Sequence, residues 1–205
     1  MQTLAFFNSK GGSGKSTLAV HLGVAASHDR TTVLIDVDPQ GTLIAWHDAR
    51  EVAAPAVMTA TAQSLKRDLA KLKAEGCDLA IIDCPPYISA DSAALMQFCD
   101  FVMVPAQPTM PDLSGCLHAV NIIEAGKVPF AFIVNRAPAR APEVSQAINA
   151  LKDLGEVCPI IIGDRRSFSR ALASGQSVSE FEQSSIATQE AASACKWILQ
   201  RIKEI

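Results

Sequence analysis

The residues best suited to chemistry form one short stretch, Ser9-Lys10-Gly11-Gly12-Ser13-Gly14-Lys15-Ser16-Thr17. It follows the apolar run 4–7 and precedes a helix-prone segment, so it connects a strand to a helix. Its three glycines permit backbone conformations in which N–H groups point at phosphate oxygens, and the helix that follows offers its positive end. Lys15 adds positive charge, and Ser16 adds a hydroxyl that can bind magnesium. A glycine-rich turn without a ligand is the simpler alternative, but the ending Gly14-Lys15-Ser16 in this context favours a phosphate site.

Aspartates end two other apolar runs of the chain. Asp36 and Asp38 follow the run 32–35, and Asp83 follows the run 79–82. Beside a phosphate loop, an aspartate at a strand end can hold magnesium through a coordinated water, and this is the role expected for Asp83. Asp36 and Asp38 could instead cap the next helix, since Asp is a common N-cap residue. Their spacing favours a role at the phosphate site.

The segments that must position these residues alternate between strands and helices. Runs typical of buried strands lie at 4–7, 32–35, 56–58, 79–83, 101–105, 130–134 and 157–162. Helical spacing is found at 16–28, 40–51, 63–75, 113–124, 142–154, 167–174 and 186–205. We therefore expect an α/β fold, a single domain over residues 1–205, with a mostly parallel, twisted sheet and helices on both faces. In such folds, ligands bind at the carboxyl ends of the strands, where each candidate residue lies.

Composition narrows the class of protein. With 205 residues, 49% of them apolar and 19% charged, the chain can bury one substantial core. No apolar run is long enough to span a membrane and no signal-peptide core is present, so a cytoplasmic location is expected. The six cysteines include no Cys-x-x-Cys pair, which favours buried free thiols over disulfides or zinc. The net charge of −3 leaves room for a local basic patch, because no Lys or Arg occurs from Ala74 to Gly126.

These motifs resemble those of the ParA/MinD family of deviant Walker A ATPases. The usual first glycine of the phosphate loop is replaced here by Ser9, and Lys10-Gly11-Gly12 follows. In the family, the early lysine reaches across a dimer interface to the nucleotide of the partner subunit, which implies that role for Lys10. The run ending in Asp83 resembles the family's Walker B strand, and Asp36-Val37-Asp38-Pro39-Gln40 is similar to its first switch.

The resemblance implies roles for individual residues around bound ATP and Mg²⁺. Asp38 would position the attacking water, Asp36 would lie near the magnesium shell with Ser16 and Asp83, and Lys15 would neutralise phosphate charge. Asn135 resembles the family's adenine-reading asparagine, although a turn residue is as good an interpretation, and Arg136 would flank the base. Hydrolysis in a site completed only by dimerisation is slow unless a partner stimulates it.

The function implied by the resemblance is an ATP-dependent switch. ATP would close a homodimer that binds DNA nonspecifically on the nucleoid, and a ParB-like centromere-binding or adaptor protein would stimulate hydrolysis and release. Because the loop begins by residue 9, the chain looks like the small ParA type that lacks an N-terminal DNA-binding domain, with a plasmid or chromosome as its cargo. The candidate DNA contacts are Arg165, Arg166, Arg170, Lys196, Arg201 and Lys203, which Arg140 and Lys152 could extend.

Three other functions remain open from the sequence. Relatives of this size also position protein cargo such as chemoreceptor clusters or carboxysomes. MinD-like relatives regulate cell division from the membrane through a C-terminal amphipathic helix. Here the stripe formed by Trp197, Ile198, Arg201, Ile202 and Ile205 favours core packing, and membrane binding is the minority interpretation. An iron-sulfur protein that resembles the nitrogenase iron protein would need close-spaced ligands, which Cys84, Cys99 and Cys116 do not supply.

Overall fold

The computed structural model describes residues 1–86 and 90–205, with side chains for all of these except 90–92. Its strands are β1 (Gln2–Phe6), β2 (Thr32–Asp36), β3 (Ala56–Thr59), β4 (Leu79–Asp83), β5 (Phe101–Ala106), β6 (Phe130–Val134) and β7 (Glu156–Val157). Its helices are α1 (Lys15–Ser27), α2 (Thr42–Asp48), α3 (Ala62–Ala74), α4 (Ala90–Met96), α5 (Met110–Ala125), α6 (Pro142–Lys152), α7 (Arg166–Ala173), α8 (Val178–Phe181) and α9 (Ile186–Glu204). The predicted α/β fold is confirmed.

The described strands form one sheet in the order β3-β2-β4-β1-β5-β6-β7, and every neighbouring pair is parallel. Parallel pairing brings the carboxyl ends of the strands to one edge of the sheet. In this register Phe6 lies opposite Asp83, and Asp83 lies opposite Asp36. The phosphate loop therefore leaves the sheet beside β4, whose end carries Asp83, and β2, whose end carries Asp36, is the next strand beyond β4.

Two hydrophobic cores cover the two faces of the sheet, because successive side chains of a strand point to opposite faces. Leu4 and Phe6 of β1 belong to the core that α1, α2, α7, α8 and α9 complete. Ala5 and its neighbour Phe7 belong to the core on the opposite face, which residues of α3, α4, α5 and α6 complete. Runs that are apolar throughout, such as Leu79–Ile82, are buried on both faces for this reason.

The last predicted strand is wrong in its length. It was expected at 157–162, but β7 contains only Glu156–Val157. Pro159 has no N–H to donate to a strand ladder, so regular pairing stops before it. The chain continues beside β6 all the same, because Cys158 and Ile162 donate their backbone N–H groups to carbonyls of β6 at 2.8 and 2.9 Å. The helices α4 and α8 were not predicted.

Helix α9 packs as the core interpretation expected. Its buried residues include Ile198 and Ile202, which join the core beside α1. Arg201 and Ile205 of the predicted stripe lie outside that face, and Ile205 is 61% exposed. No helix among the described residues is both long and apolar enough to cross a lipid bilayer.

Candidate functional site

The loop between β1 and α1 is held in shape by side chains from its own length and from the neighbouring β5–α5 segment. The fully buried Asn8 donates its amide to the Pro105 carbonyl at 2.7 Å and accepts from the Lys10 N–H at 3.1 Å. Gln107 donates to the Gly12 carbonyl at 2.7 Å, and the Ser9 hydroxyl donates to the Gly115 carbonyl at 3.0 Å. Neither Asn8 nor Gln107 was among the residues predicted from the sequence. Their contacts support the backbone of the loop.

The turn into α1 requires glycine at position 14. Gly14 has φ 100°, a left-handed conformation that a residue with Cβ adopts only with strain. A Cβ at this position would lie 2.0 Å from Asn135 Nδ2, so the space is also filled. The N-cap residue of α1 is Gly14 itself, which has no side chain to cap the first turn. The N–H groups of this turn are therefore available to an anion, as the phosphate-site prediction requires.

Lys15 lies at the centre of the loop with 5% of its surface exposed. Its ammonium donates to the backbone carbonyls of Asn8 and Lys10, both at 3.2 Å. Burial lowers the pKa of Lys15, while the nearby Asp83 acts in the opposite direction. A desolvated ammonium surrounded by loop carbonyls gains from a ligand that carries negative charge.

Asp83 is completely buried at the end of β4, and among the described residues no group forms a hydrogen bond with either of its carboxylate oxygens. Burial raises the pKa of Asp83 to about 7, and the charge of Asp36 adds to the rise; the Ser16 hydroxyl lies close enough to oppose it without reaching hydrogen-bonding geometry. A buried carboxylate without a partner is costly. A divalent cation with its bound water would relieve that cost, and carboxylate and hydroxyl oxygens are the donors that Mg²⁺ prefers. The residues present therefore fit the predicted metal.

Asp36, the last residue of β2, caps the start of α2. One oxygen of Asp36 accepts from the Leu43 and Ile44 N–H groups at 2.9 and 3.3 Å, and the other accepts from the Asp38 N–H at 3.2 Å. Burial raises the pKa of Asp36, and these hydrogen bonds oppose the rise. The capping alternative thus describes what the Asp36 carboxylate does in this structure. Asp38 accepts from the Gln40 N–H and lines the cavity described next.

A cavity of about 800 Å³ lies over the loop, within the range of about 300–1,000 Å³ of ligand pockets. Its lining brings together most of the predicted nucleotide contacts with a segment around the start of α7: Gly11, Gly12, Gly14, Lys15, Ser16, Thr17, Asp38, Gln40, Thr42, Pro86, Asn135, Arg136, Gly163, Asp164, Arg165, Arg166, Phe168 and Ser169. Ser13 and Asp83 are buried and are not part of this lining. The cavity is thus lined both by the phosphate loop and by Arg136 and Asp164.

Lys10 lies outside this cavity. Its ammonium forms an ion pair of 2.5 Å with Asp112, whose side chain is only 1% exposed, whereas that of Lys10 is 37% exposed. Asp112 stands in the first turn of α5, where it also accepts from the Thr109 hydroxyl at 2.8 Å. Asp112 was not predicted from the sequence, although the pattern Thr109-x-x-Asp112 just after a strand is typical of a helix start at the carboxyl edge of the sheet.

The six candidate DNA contacts do not form one free patch. Arg165 makes a bidentate pair with Glu190 at 2.9 and 2.6 Å, and Arg201 bonds Glu156 and Glu204. Arg165 and Arg166 line the cavity, and Arg170 lies over the Phe181 ring at 5.4 Å. Lys196 and Lys203 are exposed on α9, and Arg140 and Lys152 are exposed too. DNA binding by these residues stays a prediction.

All six cysteines are free and buried, as the sequence predicted. Burial raises the pKa of the Cys99, Cys116 and Cys195 thiols to about 12. Within the part of the chain that the structure describes, no group of three or more His, Cys, Asp or Glu residues is arranged to hold a metal ion.

The parallel sheet and the loop between β1 and α1 together define a P-loop nucleotide-binding protein. Residues 4–178 match the CobQ/CobB/MinD/ParA nucleotide binding domain, and the chain belongs to that family. The predicted ParA/MinD resemblance is therefore confirmed.

Sequence relatives and solved structures extend the comparison. The Maintenance of carboxysome distribution protein A of Halothiobacillus neapolitanus is 28% identical over 185 residues, 86% of each chain. Its namesake in Gloeobacter kilaueensis is 29% identical over 157 residues, 75% of this chain and 72% of the relative. The ATP complex of a Cyanothece McdA variant covers 98% of this chain and 96% of its own at TM-score 0.79, with 20% identity. MinD of Pyrococcus horikoshii with Mg-ADP covers 98% of each chain at TM-score 0.79, with 17% identity. The two structures show a shared fold.

Proposed function

We propose that this protein is an ATP-dependent dimerising switch that positions a protein cargo of the carboxysome kind. The observation that carries the choice of cargo is the pair of relatives named for carboxysome distribution, which match 86% and 75% of the chain. Partition of a plasmid or chromosome was the first expectation from the sequence. Partition stays the alternative function. It is favoured by the ParA protein of Rhizobium radiobacter, which is 30% identical over 60% of this chain and 56% of its own length.

The proposed reaction is attack of water on the γ-phosphate of ATP, which releases ADP and phosphate. Positioning and charge stabilisation carry most of the catalysis in such transfers. Lys15 and the N-terminal N–H groups of α1 stabilise negative charge on the phosphates, and Asp38 at the cavity wall orients the water. Asp83 and Ser16 would hold Mg²⁺, with Asp36 near its shell, and the ion would supply further positive charge to the phosphates.

Dimerisation completes the site through Lys10 of the partner subunit. In the single chain, Lys10 is outside the cavity and paired with Asp112, so it must leave Asp112 before it can reach another subunit's nucleotide. Hydrolysis is therefore slow until two ATP-bound chains meet. An adaptor protein that binds the dimer would stimulate hydrolysis, and nonspecific DNA on the nucleoid would retain the dimer between cycles.

Two measurements test the switch. Light scattering with ATP should give twice the mass that it gives with ADP, and DNA retention should need ATP. Identical mass and retention with both nucleotides would contradict the switch, whatever the cargo. For the cargo, fluorescent carboxysome shell protein should lose its even spacing in host cells that lack the gene. If the carboxysomes keep their spacing and a low-copy plasmid is lost instead, partition is the function.

A further inference from the structure

We propose that Asn135 is a positioning residue that holds the phosphate loop in its binding shape, in place of the base-reading role implied by the resemblance. This proposal rests on the proposed function, since it assumes that the loop binds a nucleoside triphosphate. In this role Asn135 affects binding of the phosphates and not recognition of the base.

Asn135 contacts the phosphate loop directly. Its Nδ2 donates to the Ser13 carbonyl at 2.8 Å, and both residues are buried, with exposed fractions of 3% for Asn135 and 0% for Ser13. The Asn135 backbone N–H donates to the Ala106 carbonyl at 2.8 Å, which fixes the amide to the end of β6 beside β5. The Asn135 side chain thus connects the end of β6 to the loop at Ser13, the residue that precedes Gly14.

The Asn135 side chain also packs closely against Gly14. The position that a Cβ of Gly14 would take lies 2.0 Å from Asn135 Nδ2 and 3.2 Å from its Cγ. The amide therefore fills the space beside the left-handed turn that starts α1. Because both the hydrogen bond and this close approach involve residues 13 and 14, a change at Asn135 acts on the backbone that faces phosphate.

Asn135 lines the cavity together with other groups that can contact a base. An amide that reads adenine must present an N–H and its carbonyl to the edge of the base. One of the two N–H groups of Asn135 is committed to the Ser13 carbonyl, so the loop sets the orientation of the amide. Arg136, Asp164 and Phe168 line the same cavity, and Arg136 Nε lies 3.6 Å from Asp164 Oδ1. These side chains offer a base contacts that do not involve Asn135.

The test compares the affinities of tripolyphosphate, ATP and GTP by calorimetry with Mg²⁺ for the wild type and two variants. Asn135→Asp replaces the donor by an acceptor of the same shape that faces the Ser13 carbonyl, and Asn135→Ala removes the amide without adding charge. We expect each variant to weaken all three ligands by the same factor, about tenfold or more, because a buried carbonyl loses its donor. Asn149→Asp, at an exposed site on α6, controls for the added charge and should bind as the wild type does.

Several outcomes would overturn the proposal. If tripolyphosphate affinity is unchanged while the preference for ATP over GTP collapses, Asn135 reads the base. If the variants lose thermal stability but their folded fraction binds all ligands normally, Asn135 serves the fold alone. The wild-type protein gives an independent readout: tripolyphosphate alone should shift the NMR signal of the Asn135 side-chain amide, and a shift with ATP only would contradict the proposal. A wild type that binds none of the three ligands would contradict the proposed function itself.

Discussion

The buried histidine of α1 should make the stability of this protein depend on pH in a way that one substitution removes. His21 is 4% exposed, its ring meets Phe168 of α7 edge-on at 5.0 Å, and its Nδ1 accepts from the Val178 N–H at the start of α8 at 3.1 Å. Its Nε2 is buried without a partner among the described residues. Burial lowers the pKa of His21 to about 3, and the charge of Glu180, which faces it from α8, opposes the shift only in part. The ring must therefore stay neutral in the folded protein.

The magnitude follows from linkage between protonation and folding. In the unfolded chain the pKa of His21 is about 6.5, so below that pH the unfolded state binds a proton that the folded state excludes. Stability is then lost as the pH falls from about 7 towards 3. Between pH 8 and pH 5 the loss attributable to His21 is about 2 kcal/mol. This figure does not depend on the exact folded pKa, provided that it lies well below 5.

The assay is urea unfolding of the wild type and His21→Asn at pH 8, 7, 6 and 5. Asparagine keeps an acceptor near the position of Nδ1 and cannot titrate, so its packing cost is the same at every pH. The wild type should lose about 2 kcal/mol more than the variant between pH 8 and pH 5. Asp83 also makes stability depend on pH, but in the opposite direction: its pKa is raised to about 7, so its protonation stabilises the folded state as the pH falls. The difference between wild type and variant removes this contribution, because both proteins contain Asp83.

A second histidine supplies the control. His118 lies exposed on α5, and His118→Asn should follow the wild-type curve. If the free energies of unfolding of His21→Asn and the wild type change in parallel from pH 8 to pH 5, His21 is protonated as readily in the folded protein as in the unfolded chain. The packing of α1 against α7 and α8 would then differ from the arrangement described above.

Three further substitutions test the site and its support. Lys10→Ala should bind ATP as the wild type does, because Lys10 lies outside the cavity, but should not dimerise in light scattering; unchanged ATP hydrolysis would contradict the role across subunits. Asp38→Ala should form ATP dimers while phosphate release falls about a hundredfold, and normal release would show that another group orients the water. Arg50→Ala should lower the free energy of unfolding in urea by about 3 kcal/mol, because the 2% exposed Arg50 side chain pairs with Glu180 at 2.7 Å; Arg50→Lys should recover part of this loss, and no loss would mean that the pair is dispensable.

The parts of the fold that the sequence predicted depend on short-range patterns. Uniformly apolar runs such as Leu79–Ile82 mark buried parallel strands wherever they occur, and Gly14-Lys15-Ser16 marks the strand-to-helix turn. The predictions failed where a single residue or a cap changed a local pattern. Pro159 ended the ladder of β7 after two residues, and the four-residue helix α8 depends on the Ser177–Glu180 capping box rather than on apolar periodicity.

The site was harder to predict, because its decisive contacts join residues far apart in the chain. Asn135 and Ser13 are 122 positions apart, and Lys10 and Asp112 are 102 apart. Neither pairing produces a periodic pattern in the sequence. A motif indicates which chemistry a residue can perform, and the contacts in the folded protein determine which of its atoms are available for that chemistry. Lys10 illustrates this: its position in the loop predicts a contact with a partner's nucleotide, and its ion pair with Asp112 means that the contact must compete with a buried carboxylate of its own chain.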